Sequence, residues 1–122
     1  MKWLPLLLFI VLSAPAADGP FACERIRVVD GDTIECDIHL ALEMWLVKQK
    51  IRLYGIQAPE KKEPGWAEAK AELERLAPSI NRVLIVKRDK YGDRIDGTLL
   101  TTTGENVNAS LVQSGHAKEW YP

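Results

Sequence analysis

Histidine and cysteine are scarce in this chain, two of each in 122 residues, and none of the four sits at a zinc-like spacing. A zinc centre is therefore not expected. An excess of one charge sign is also missing: 16 Lys+Arg stand against 17 Asp+Glu. A generally basic protein that coats nucleic acid is excluded, because phosphate neutralisation by Lys and Arg supplies most non-specific affinity. Any nucleic acid must be met by a local patch. No internal repeat, low-complexity tract or linker is present, which argues against a second domain.

Long apolar runs are absent too. Leu4 to Ser13 is apolar behind a single early positive charge, Lys2, and is shorter than the roughly 20 residues needed to span a bilayer. Followed by Ala14-Pro15-Ala16, it reads as a secretory leader with a small-x-small cleavage site. Residues 1–16 are read as a signal peptide, with cleavage after Ala16 or Ala17, and 17–122 as one domain. Removing the first 16 of 122 residues leaves 106, enough for a single small core, and shifts the balance to 15 basic against 17 acidic residues. Export to a periplasmic or extracellular space, with no stable membrane insertion after cleavage, is the expectation.

Export would allow Cys23 and Cys36 to bond. Yet Cys36 alternates in step with Ile34 and Ile38, and Cys23 with Arg25 and Arg27, so on regular paired strands the two face opposite sides. A bulge or an irregular start before Arg25 would remove the conflict. A Cys23–Cys36 bridge and two separate thiols both stay open.

Thr33 to Leu42 alternates strictly, with Ile34, Cys36, Ile38, Leu40 and Leu42 on one face, and reads as a half-buried strand. Short strands are also read over Arg25–Val29, Val47–Tyr54, Val83–Val86 (buried on both sides) and Thr98–Thr103. The reversal somewhere in Ala41–Trp45 carries no Gly, Pro, Asn or Asp and cannot be placed. Pro64–Ala77 has helical spacing and is ended by Pro78; Asn106 and Gly115 bracket a second helix over Val107–Ser114 as N-cap and C′ residue. Three strands, helix, strand, strand, helix suits an α+β domain, mainly β, whose strands cover their edges by closing a small sheet.

Three segments carry chemistry: Asp30-Gly31-Asp32-Thr33 at a turn, Arg52-Leu53-Tyr54-Gly55-Ile56-Gln57-Ala58-Pro59-Glu60, and Asp89-Lys90-Tyr91-Gly92-Asp93-Arg94. Carboxylates, arginines and a glutamate fixed after a proline are what hydrolysis of a phosphodiester around a divalent cation requires. In this order they resemble the active-site segments of the staphylococcal (thermonuclease-like) nuclease family, a likeness that spans about Arg25 to Tyr121. It implies a five-stranded OB-type barrel with packed helices, and a calcium-assisted endonuclease acting on DNA or RNA with little sequence preference, as a monomer.

The resemblance also assigns roles. Asp32 matches the calcium-binding turn acid, with Asp30 supporting it and the backbone carbonyl of Ala58 as a further ligand. Arg52 and Arg94 match the phosphate-clamping arginines, Glu60 the general base, and Lys90 and Tyr91 the residues that contact a terminal phosphate or nucleotide. Arg52 shares its strand face with Lys48 and Lys50. Two departures stand out. Gln57 replaces an acidic ligand with a neutral amide, which lowers the charge available to a hard cation. Asp93 is inserted before Arg94, where it either pairs with that arginine or supplies the missing acid. Asn108-Ala109-Ser110 is formally a glycosylation sequon, discounted because it lies on a helix, and His116 is read as serving a helix end. Trp120 and Tyr121 are read as sealing the barrel rather than stacking on a base. The alternative functions are a catalytically weakened nucleic-acid-binding module on the same fold, or a secreted adaptor whose basic stripe meets an acidic partner.

Overall fold

Alternation in the first half of the chain produces three long antiparallel strands in succession, β1 (Asp18–Asp30), β2 (Thr33–Ala41) and β3 (Met44–Leu53). The computed structural model describes residues 17–89 and 92–121, so the expected leader and both Lys90 and Tyr91 lie outside the described residues. After a two-residue strand β4 (Ile56–Gln57) come helix α1 (Trp66–Leu76), a 3₁₀ turn (Ala77–Ser79), β5 (Ile80–Arg88), β6 (Arg94–Thr101), α2 (Val107–Gln113) and β7 (Lys118–Glu119). Strands close in the order β1-β2-β3-β6-β5, a five-stranded OB-type barrel, while β4 and β7 form a separate pair. Closure removes every edge of the main sheet.

The barrel interior is aliphatic. Ile34, Ile38, Ile51, Leu53, Val83 and Leu99 are fully buried from the strands, and Leu73 of α1 with Val107 and Leu111 of α2 cap them. Asn106 accepts the Ala109 N–H at 3.0 Å as the expected N-cap, and Gly115 takes the left-handed conformation after α2. Asn108 is buried, donating to the carbonyls of Tyr54 and Gly97 and accepting the Leu99 N–H, so it latches α2 to the barrel and is closed to glycosylation.

Two bulges decide the register. Arg25 on β1 and Lys48 on β3 both have positive φ, +54° and +53°, and each sits at a register break against β2. Between them stands Asp37, whose carboxylate accepts the Lys48 backbone N–H at 2.8 Å and the Arg25 guanidinium at 2.7 Å. Those two donors hold its carboxyl below the usual carboxylate range. The first bulge resolves the cysteine conflict: Cys23 pairs with Ile38 and so faces inward with Cys36, and the two sulfurs are bonded across a Cα separation of 5.7 Å. The second corrects the basic stripe, since it takes Lys48 out of step and leaves Lys50 with Arg52.

Other expectations move at their edges. The unplaced reversal is the two-residue turn Leu42-Glu43, with Leu42 at φ +52° and 87% exposed rather than on the apolar face. Strands β5 and β6 run beyond Val83–Val86 and start before Thr98, because barrel pairing recruits the charged residues flanking each apolar run. Thr102 and Thr103 fall in the turn that follows, and Leu84 to Val86 are only half-buried.

Candidate active site

Asp30 ends β1 and Asp32 occupies the turn into β2. Gly31 between them is a close approach: a Cβ there would lie 2.7 Å from the Ala69 Cβ and 2.9 Å from the Ala58 Cβ. The acidic turn is thus pressed on both α1 and the segment after β4. Asp32 accepts the Ala58 N–H at 3.0 Å and the Thr33 hydroxyl at 3.1 Å, while Asp30 accepts the Trp66 indole N–H at 2.9 Å. The sequence pattern placed Trp66 only on a helix, and nothing in it signalled this bond.

Arg52 stands near the end of β3, 16% exposed at its side chain. One guanidinium nitrogen donates to the carbonyls of Leu53 and Ile56, at 2.9 and 3.0 Å; the other lies 3.7 Å from Asp32 Oδ2. The Trp120 ring covers it at 5.5 Å. Tyr121 packs its ring on Gly55 and edge-on to Tyr54, so of the last two aromatics Tyr121 seals and Trp120 lines the site.

Glu60 is exposed, but its backbone is fixed: its N–H donates to the Glu63 carboxylate at 2.7 Å and its carbonyl accepts the Glu63 N–H at 2.8 Å. A glutamate three residues on is a recognisable signal for such reciprocal bonding, read in the sequence only as a polar run.

Strands β3 and β6 are parallel, pairing Lys50 with Arg94 and Arg52 with Asp96, so both arginines face the same side of the sheet. Arg94 pairs with Asp89 at 3.3 Å. The hairpin closes where the Asp89 N–H meets the Arg94 carbonyl, which leaves Asp93 exposed in the turn. The expectation that Asp93 pairs with Arg94 or supplies an acid is therefore corrected: Asp89 is the partner, and Asp93 lines neither cavity of the site.

Those cavities adjoin. One, about 330 Å³, has Asp30, Asp32, Ala58 and Lys61 on its walls; the other, about 380 Å³, has Tyr54, Lys87, Asp89, Asp96 and Trp120. Arg52, Gln57, Glu60 and Arg94 line both, which joins them into one groove. A larger cavity of about 660 Å³ between β1 and α1 holds none of these residues. His116 lines neither cavity of the groove but an adjoining one of about 300 Å³ that shares Gln57 and Ala58 with it, and stands 3.9 Å from Glu72, whose carboxyl the Arg75 guanidinium holds below the usual range. Sequence reasoning missed Asp96: burial and the neighbouring Asp89 push its carboxyl above the usual range.

Among the described residues no three His, Cys, Asp or Glu side chains converge as a metal cluster. The oxygens available at the acidic end, from Asp32, Asp30, the Gln57 amide and the Ala58 carbonyl, are hard donors of the kind that calcium takes, with fewer charges than a tight site uses.

A sequence model of staphylococcal nuclease homologues matches residues 50–122. An uncharacterized endonuclease of Escherichia coli is 37% identical over 118 residues, covering 95% of this chain and 71% of the relative. An uncharacterized endonuclease of Haemophilus influenzae is 32% identical over 114 residues, covering 92% and 59%. Endonuclease YhcR of Bacillus subtilis is 30% identical over 122 residues, 88% of this chain but 10% of that longer protein.

Proposed function

This chain belongs to the staphylococcal nuclease family and is a nuclease, and from that premise we propose that it is an exported, calcium-assisted phosphodiesterase acting on DNA, RNA or both with little sequence preference. The observation that carries this reading is the shared groove wall of Arg52, Gln57, Glu60 and Arg94, with Asp32 at one end. Export is supported by the apolar leader and by the bonded cysteines, since disulfides persist in oxidising compartments.

The chemistry follows from charge. A phosphodiester entering the groove meets two guanidinium groups, whose planar donors match phosphate oxygens and neutralise charge that builds as a fifth oxygen approaches. Arg52 is oriented in advance by two backbone carbonyls. Glu60, anchored through Glu63, takes a proton from the attacking water. Asp32, Gln57 and Ala58, with Asp30 behind, would hold calcium, which supplies Lewis-acid polarisation of a phosphate oxygen when bound. Lys90 and Tyr91 are proposed to contact a terminal phosphate or nucleotide.

Incubating the exported protein with plasmid and with RNA, in calcium and in chelator, tests this reading. Glu60→Gln is expected to lower kcat by about 10²–10⁴-fold; metal-dependent cleavage no greater than that of this variant would end the catalytic reading. The second reading, a weakened binding module, is favoured by one feature, the neutral Gln57 at a ligand position. Gln57→Asp separates the two. It is expected to tighten calcium binding by calorimetry and to raise activity at low calcium, whereas unchanged affinity would show that residue 57 does not face the metal.

A further inference from the structure

Asp96 takes no part in the chemistry above, yet it is only 7% exposed and lines the groove with Arg52, Arg94 and Glu60. Its Oδ1 has no hydrogen-bond partner among the described residues. A buried carboxylate oxygen without a donor loses its hydration and gains nothing in exchange. A cation or a proton would each remove that penalty.

The surroundings choose between them. Arg52 faces Asp96 from β3 as its register partner, Lys87 from β5 as the other, and Arg94 stands two residues before it on β6. All three positive side chains repel a metal cation, and Arg52 and Lys87 also favour the charged carboxylate over the protonated one. Asp89, just beyond β5, brings a second carboxylate against the same group and disfavours charge on both. Burial, together with the hydrogen bond and charge of Asp89, outweighs Arg52 and Lys87, so a proton on Asp96 relieves the buried charge.

We propose that Asp96 is a second catalytic residue, the donor of a proton to the leaving oxygen of the cleaved diester. This rests on the phosphodiesterase reading and adds an acid to its base. Water forms a bond to phosphorus as its proton passes to Glu60. The bond from phosphorus to the leaving oxygen breaks, and that oxygen takes the proton from Asp96. The products are a phosphomonoester and an alcohol, and both carboxyl groups then recover their starting states by exchange with solvent.

An acid is needed only for a poor leaving group. The test compares an oligonucleotide with a thymidine diester that carries a p-nitrophenyl leaving group, which departs as a stable anion. Asp96→Asn is expected to lower kcat on the oligonucleotide by about 10²-fold or more while slowing the nitrophenyl diester by less than about threefold. The wild-type pH profile gives a second measurement without any mutation: kcat on the oligonucleotide should fall with rising pH as Asp96 ionises, a limb that the nitrophenyl substrate lacks. Equal slowing on both substrates, or matching pH profiles, overturns the assignment and leaves the phosphodiesterase reading intact. Wild-type protein inactive on both substrates in calcium overturns both.

Discussion

The two ends of the groove are built from different interactions. At the acidic end, Asp30 and Asp32 are held mainly by uncharged donors, an amide, a hydroxyl and an indole, and by the packing of Gly31 on two alanines, with the Arg52 guanidinium 3.7 Å from Asp32. At the other end Asp89, Arg94, Lys87 and Asp96 hold one another through charge, and one carboxylate oxygen lacks a donor among the described residues. Close packing responds little to salt or pH, whereas hydrogen bonds to a carboxylate weaken on its protonation and charge pairs respond to both salt and pH. On the proposed reading, the ligand position lies where packing fixes the geometry. On the same reading, the proposed acid Asp96 stands where burial and neighbouring charges set its proton affinity.

The largest expected effect tests the rigid end from behind. The Cys23–Cys36 bond closes a loop of sequence separation 13 with the acidic turn at its tip. Replacing both cysteines by serine should lower stability by about 3 kcal/mol, read from denaturant melts, because the unfolded chain regains loop entropy. Next comes Gly31→Ala, whose methyl group would drive the turn off Ala58 and Ala69; a loss of about 2 kcal/mol is expected from overpacking, with weakened calcium binding. A variant as stable and as calcium-competent as wild type would show that the packing does not position the acids.

The smallest effect belongs to the charged end and depends on pH. Because the folded pKa of Asp96 is raised, its contribution to stability is complete below the unfolded value near 3.9 and is lost as pH rises through the folded value. Asp96→Asn removes that decline. Melts should find the variant more stable than wild type by about 1 kcal/mol near pH 7, an advantage that disappears below pH 4. An advantage that persists in acid would assign the effect to packing instead. Asp37 behaves oppositely: its lowered pKa stabilises the fold above about pH 4 and the contribution is lost in acid.

Much of the site was legible because its parts lie in short runs with strong local preferences. Asp-Gly-Asp marks a turn, Ala-Pro-Glu an extended strand exit, and the alternation of Ile34, Cys36 and Ile38 an inward face. Both helices were legible from apolar spacing and from Asn106 and Gly115. The bulges at Arg25 and Lys48 were not, because neither residue type prefers positive φ and each is held there by Asp37 on the neighbouring strand. For the same reason the Leu42-Glu43 turn gave no signal. Asp96 was invisible as a functional candidate, since an acid in an ordinary strand becomes remarkable only once Asp89 and Arg52 are beside it.

By itself the sequence determined the five barrel strands and both helices (though not the short β4–β7 pair), the acidic turn, and the residue types offered to phosphate and metal, since these follow from preferences acting over a few neighbouring positions. Only the tertiary structure decided that the cysteines meet, that Asp89 rather than Asp93 holds Arg94, and that Asp96 is buried among cations. Those outcomes depend on the bulged register of β1 on β2, on how the β5–β6 hairpin closes, and on the parallel pairing of β3 with β6, which sets Arg52 beside the distant Asp96.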